Sequence, residues 1–227
     1  MKRRPTAELL DTDSGTPAEI AASIRDLRWF NRWFGGVSTT RNLVEVVARN
    51  TGENQFSLLE VAAGEGFVPQ SARVQLERLG IGVSVTLLDR VCSHLPKNGP
   101  VHKIASDALA LPFSDSTFDL VSSSLFAHHL APEQVVQFAG EALRVCRLAV
   151  LVNDLVRHPI HLAVAYAGTP LYHSRITRHD ALASVRQAYT VSEMKGLLQK
   201  AGAARIEAQS HYFFRMGVIA WKREPDK

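Results

Sequence analysis

Short apolar runs alternate along this chain with stretches whose apolar residues return every three or four positions. Leu58 to Ala62 is a run of strand length, and it ends in Gly64-Glu65-Gly66. Val68, Ala72, Leu76 and Leu79 then recur at helical spacing. Val83 to Leu88 is the next apolar run, closed by an acid, Asp89. Strand, glycine turn, helix, strand and carboxylate make one βαβ unit of a doubly wound sheet.

The flanks follow the same alternation. Met1 to Thr16 is polar and reads as a loose tail. Pro17 to Phe34 predicts a helix with Ile20, Ile24, Leu27 and Phe30 on one side, stopped by Gly35-Gly36, and Val37 to Asn50 predicts a second. Beyond Asp89, Val91 to Gly99 is too short and broken for a full helix. Strands are expected at Val101–Ala105, Phe118–Ser123 and Leu148–Val152, with a helix over Pro132–Val145. Ile160 to Tyr189 lacks clean strand signals and reads as a helical insertion over the pocket. Thr190-Val191-Ser192-Glu193 is a capping box for a helix to Ala201. Arg205–Ala208 and Phe213–Trp221 predict two closing strands, a hairpin at the sheet edge.

The glycine turn carries the first chemical signal. Glycines let backbone approach a ligand where a Cβ would collide, and a carboxylate ending the second strand can grip a ribose diol. A nucleoside cofactor is therefore expected. The dinucleotide fingerprint wants Gly or Ala where this chain has Pro69, and no Gly-Lys-Ser or Gly-Lys-Thr follows for a P-loop. An acid, Glu60, stands four residues before Gly64 instead. Glu60-Val61-Ala62-Ala63-Gly64-Glu65-Gly66 resembles motif I of class I S-adenosylmethionine (SAM)-dependent methyltransferases, acid-x-Gly-x-Gly-x-Gly, with Ala62 replacing the first glycine. A second resemblance lies in Asp107-Ala108, then Leu111-Pro112-Phe113 and Phe118-Asp119.

The resemblance runs from about Val37 to Arg223 and is weakest in the insertion. It implies an α/β fold: a doubly wound, seven-stranded, mostly parallel sheet with an antiparallel last strand, amino-terminal helices, and a helical insertion after strand five. Residues 1–36 would form the tail and a lid helix, and 37–227 the methyltransferase domain with its insertion at about 155–189. It implies cofactor contacts from Glu60, Ala62, Gly64, Gly66, Asp89, Arg90 and Leu125. By the same resemblance Asp107 accepts from the adenine amino group and Ala108 donates its backbone N–H. Asp119 is expected to hold its strand and turn. The aromatic run Leu27–Phe34 reads first as an amphipathic helix packed on the domain and alternatively as a lid whose Arg28 or Asn31 reaches the cofactor's carboxylate.

Methyl transfer to a hydroxyl or acidic carbon also calls for a general base, and histidine suits it. His129 is the first candidate, His128 the second and His158 the third, because they leave the carboxyl ends of two strands. No metal is expected: Asn153-Asp154 offers oxygen ligands, but Ser122-Ser123-Ser124 supplies no acid opposite them, and the insertion's histidines lack ligand spacing. The 227 residues, 46% hydrophobic and 21% charged, are ordinary for one soluble domain. A net charge of +4 does not by itself signal nucleic-acid binding. Isolated Cys92 and Cys146 fit a reduced, cytoplasmic setting, and no signal or membrane-spanning run is present. The expected acceptor is a small molecule, a phenolic, quinone or polyketide-like metabolite, with O-methylation preferred to C-methylation. The alternatives are a nucleic-acid methyltransferase, which the SSSLFA run after strand four disfavours, and a SAM-binding scaffold without catalysis, to which Ala62 points. An NAD-dependent oxidoreductase comes last, because of Pro69.

Overall fold

The computed structural model describes residues 1–96, 101–211 and 214–224. Seven strands form one sheet: β1 (Gln55–Val61), β2 (Gly82–Asp89), β3 (His102–Ala105), β4 (Phe118–Ser124), β5 (Cys146–Leu155), β6 (Arg205–His211) and β7 (Arg215–Trp221). Their order is β3-β2-β1-β4-β5-β7-β6. All pairings are parallel except those of β7, which runs against both neighbours. The closing pair is an antiparallel hairpin at the sheet edge, as the sequence predicts, with the later strand on the inside. β7, buried along its whole length, inserts beside β5, and the more polar β6 takes the edge. Phe213, expected to begin β7, and 97–99 of the segment after β2 lie outside the described residues.

Seven α-helices are found among the described residues: α1 (Pro17–Trp33), α2 (Gly36–Thr51), α3 (Phe67–Glu77), α4 (Pro132–Val145), α5 (Pro159–Ala167), α6 (Arg175–Gln187) and α7 (Val191–Lys200). Local chemistry sets their starts. Thr16 and Glu19 close a capping box on α1, Thr190 and Glu193 another on α7, and Pro17, Pro132 and Pro159 stand in first turns, where a missing N–H costs nothing. The insertion is helical as expected, made of α5, a short 3-10 turn and α6. No helix among the described residues is long and apolar enough to cross a membrane.

Alternation along the strands divides the core into two layers. Leu58, Leu120, Leu151 and Ile219 pack under Leu43, Val44 and Val47 of α2. Leu59, Val121, Val150, Val152 and Val218 pack under Phe138, Ala142 and Leu198 of α4 and α7. Each series turns polar at the carboxyl ends of the strands. On the α2 side stand Glu60, Ser122, Asn153 and Arg215; on the other stands Asp154, all buried.

Polar bonds fasten the amino-terminal third onto this edge. Asn153 donates from Nδ2 to the Gly36 carbonyl and to Thr40 Oγ1, both at 2.8 Å, and accepts at Oδ1 from Arg215 at 2.9 Å. Arg215 also donates to Asn31 of α1 at 3.2 Å. Asp26 of α1 accepts from the His173 amide, His173 Nδ1 and Thr177 Oγ1 at 2.9, 2.7 and 2.8 Å. The tail is not loose. Arg3 donates to the carbonyls of Gln187, His128 and Leu130 at 2.6, 2.8 and 2.8 Å and lies over the Tyr189 ring. The Leu9 and Leu10 amides donate to Asp180 at 2.8 and 3.0 Å. A segment held by charge and backbone bonds carries no apolar periodicity, so the sequence pattern misses it.

Asn153 is the hub of these bonds, and its loss strands three partners in a buried place. Asn153→Ala is expected to cost about 2–4 kcal/mol and to lower the melting temperature by about 5–10 °C, read by urea and thermal unfolding.

Candidate active site

The loop between β1 and α3 turns left-handed three times. Ala62, Gly64 and Gly66 have φ of 54°, 50° and 68°. Ala62 thus keeps the backbone form of the glycine it replaces, at a cost of about 1–2 kcal/mol for its Cβ. The two glycines differ in purpose. A Cβ on Gly66 would sit 2.5 Å from Leu87 Cδ1, so close packing demands glycine there; a Cβ on Gly64 meets nothing within 4 Å and would project into open space. Asp89, at the carboxyl end of the neighbouring strand, accepts from the Gly64 amide at 2.9 Å and the Val91 amide at 3.0 Å. Each carboxylate oxygen keeps a second lone pair, which a ribose diol can use.

The other predicted cofactor residues surround this point unevenly. The Ser106 amide donates to the Asp89 carbonyl at 3.1 Å and brings the end of β3 alongside. Asp107 is exposed, with one oxygen on the Leu109 amide at 2.9 Å, and Ala108 is buried beside it. Arg90 points to solvent. Leu125 holds a left-handed φ of 56°, and its amide donates to the Asn153 carbonyl at 2.9 Å. Arg28 of α1 makes an ion pair with Glu65 in the glycine turn, its Nε donating at 2.8 Å. Asn31 is committed to Arg215. Asp119 holds its strand, as expected, by accepting from the Ser57 amide and hydroxyl at 2.8 Å.

Glu60 is 1% exposed, and the Ser122 hydroxyl donates to it. Burial outweighs that bond and pushes its pKa up to about 7.

The candidate bases lie where the sequence puts them, in a 3-10 turn at Ala127–His129 after β4, but with partners it does not reveal. His128 Nδ1 is 2.6 Å from Asp154 Oδ1, and its Nε2 faces Glu8 Oε1 at 3.4 Å, beyond a proper hydrogen bond. Burial pulls the imidazolium down, but Asp154 and Glu8 overcome it and raise its pKa to about 10. His129 Nδ1 is 2.9 Å from Asp11, and its Nε2 is 4.0 Å from Glu8. His158 caps α5, its Nδ1 accepting from the Ile160 amide at 3.2 Å, and stacks on Phe214. Glu8, Asp11 and Arg215 are the residues that sequence reasoning misses, and no local spacing signals them.

A carboxylate fixed beside a glycine that leaves the crevice clear, with an acid and a backbone amide on the next strand end, fits an adenosyl group. Comparisons with known proteins agree. Residues 59–149 match a methyltransferase-domain family. A search of curated protein sequences returns no match. Among solved structures, the plantazolicin methyltransferase, crystallised with a monoazolic desmethylPZN analogue and S-adenosylhomocysteine (SAH), is similar over 95% of this chain and 94% of its own, at 13% identity and a TM-score of 0.66. Human N-acetylserotonin methyltransferase with SAM matches 84% of this chain at 13% identity and a TM-score of 0.59, and this chain spans 53% of its length. A SAM-dependent methyltransferase from Methanosarcina mazei matches 78% of this chain and 97% of its own, with 17% identity and a TM-score of 0.54.

Glu60 makes stability depend on pH in a definite direction. Its folded pKa of about 7 exceeds the unfolded value near 4.5, so the folded state binds the proton more tightly and stability falls as pH rises between them. The loss is about 3 kcal/mol on completing that interval. In urea titrations at several pH values, Glu60→Gln is expected to abolish this component of the slope.

Proposed function

We propose that this chain, a class I SAM-dependent methyltransferase by its fold and by the family match of residues 59–149, methylates an apolar small molecule. The cofactor supplies a methyl group on a sulfonium, whose transfer in line to a nucleophile depends chiefly on positioning and exclusion of water. Asp89 would hold the ribose, Asp107 and Ala108 the adenine edge, and Glu60 would present a buried acid behind the glycine turn.

The observation that carries the acceptor class is the apolar surface around the carboxyl edge of the sheet. Trp29, Trp33 and Phe34 at the end of α1 are 49%, 62% and 52% exposed. Ile160 and Val164 on α5 are exposed as well, and Phe30 meets Tyr172 edge to face, which joins α1 to the insertion. Aromatic and aliphatic side chains of this kind favour a flat, greasy acceptor such as a phenol, quinol or polyketide. The similarity to the plantazolicin methyltransferase along nearly the whole chain favours a second reading, in which the acceptor is an azole-bearing natural product like the analogue bound there.

Asp154 and His128 form a carboxylate–imidazole pair of the type that orients a general base, but Glu8 stands over the free nitrogen. His129 is likewise turned to Asp11 and Glu8. Methyl transfer by positioning alone suits an acceptor that ionises by itself near neutral pH, an enolised polyketide or an acidic phenol, and O-methylation is preferred on that ground.

Calorimetry with SAH, followed by label transfer from SAM to phenolic, enolic and azole acceptors, tests this reading. Asp89→Ala is expected to weaken SAH binding about 10- to 100-fold with the fold retained by circular dichroism. Absence of heat from either SAM or SAH with the unaltered chain would overturn the proposal.

A further inference from the structure

Two imidazoles and one carboxylate converge where the amino-terminal segment crosses the loop after β4. One ligand atom from each of Glu8, His128 and His129 lies within 4.8 Å of the others. Both histidines use Nδ1 on a carboxylate, Asp154 at 2.6 Å and Asp11 at 2.9 Å, so both direct Nε2 to the same side, toward Glu8. His128 is 2% exposed, and its Nε2 has no hydrogen-bond partner. A buried ring nitrogen without a partner costs about 1–3 kcal/mol, and the cluster leaves it so while both neighbouring carboxylates are close.

We propose that Glu8, His128 and His129 bind one divalent transition-metal ion of the zinc type. Zinc bonds of about 2.0–2.1 Å at tetrahedral angles separate neighbouring ligand atoms by about 3.4 Å. Glu8 Oε1 is 3.4 Å from His128 Nε2 and Glu8 Oε2 is 4.0 Å from His129 Nε2, so side-chain rotation must bring one atom of each residue in from the present spread of up to 4.8 Å. Two histidines and a glutamate are a sufficient protein ligand set, with a fourth position left for water. The surroundings match what such a site needs. Carboxylates behind each imidazole fix its tautomer and raise its basicity. Glu8 is itself oriented, since its Oε1 accepts from Ser184 Oγ at 2.6 Å and Gln187 Nε2 at 2.7 Å.

Charge points the same way. Glu8, Asp11 and Asp154 bring three carboxylates to the two imidazoles. Arg3 on the same segment donates to the carbonyls of Gln187, His128 and Leu130. The ion would fasten the amino-terminal segment to the domain. This site is separate from methyl transfer, and its test does not depend on it.

The experiment uses the full chain without a histidine tag, stripped by chelator dialysis and titrated with Zn²⁺ or Co²⁺. The expected result is one equivalent bound per chain, visible d–d absorption of tetrahedral Co²⁺, and a melting temperature raised by about 5–10 °C at saturation. Glu8→Gln and His129→Gln should each weaken binding at least 10-fold and remove the Co²⁺ spectrum, while His102→Gln, altering an exposed histidine, should leave both unchanged. Limited proteolysis of the unaltered chain supplies a check independent of the variants, because metal should slow cleavage between residues 1 and 16. Failure to bind either metal, binding untouched by Glu8→Gln and His129→Gln in folded protein, or proteolysis indifferent to metal would overturn the proposal.

Discussion

The hydrogen bond from the Gly64 amide to the Asp89 carboxylate ties together the ends of two adjacent parallel strands, and the crevice depends on it. Register places Val61 of β1 beside Leu88 of β2, so the chain leaving β1 must turn before it meets the end of its neighbour. A left-handed path makes that turn and exposes amides which, if buried unpaired, would each cost about 1–3 kcal/mol. Asp89 takes the Gly64 amide of that turn and the Val91 amide of the chain leaving β2, one on each oxygen. The same carboxylate is therefore structural before any ligand arrives, and its place and orientation are set in advance. Preorganisation of this kind spares binding the cost of ordering the side chain.

Within the sheet, buried polar residues gather where the strands end. Below that level both layers are aliphatic, with Leu59, Val121 and Val150 on one side and Leu58, Leu120 and Leu151 on the other. Above it the same alternating positions become Glu60, Ser122, Asn153 and Arg215 on one face and Asp154 on the other. Arg215 is 4% exposed and meets two amide side chains in place of an acid, and burial lowers its pKa to about 10. Buried charges held by imperfect partners add little to stability, and their concentration on a single edge is the pattern expected where structure is traded for function.

Strand and helix positions were legible in the sequence wherever burial imposes a period. Pro132–Val145 is found as read, because Val135, Phe138, Ala142 and Val145 face the core and Pro132 marks the start. The glycine turn and the acid after β2 were legible because their conformations exclude most other residues. Three things were not. The placing of β7 between β5 and β6 depends on a comparison of two strands, not on either alone. The seating of residues 1–16 rests on Arg3, Leu9 and Leu10 reaching partners far along the chain, and a polar stretch looks the same loose or bound. The surroundings of His128 and His129 depend on Glu8 and Asp154, residues that no local spacing connects.

The way α1 is attached has a bearing on how molecules enter and leave. Asp26 joins it to the insertion, Asn31 to the sheet and Arg28 to the glycine turn. The last is a solvent-exposed ion pair, the type worth under about 1 kcal/mol, as is Glu19–Arg175 at the other end of the helix. A helix bolted at two buried points and latched beside the glycine turn by a weak one behaves as a wall with a loose corner, not as a hinged cover. Traffic through the crevice would then pass at that corner, beside Glu65, or would require α1 and the insertion to swing out together as one panel.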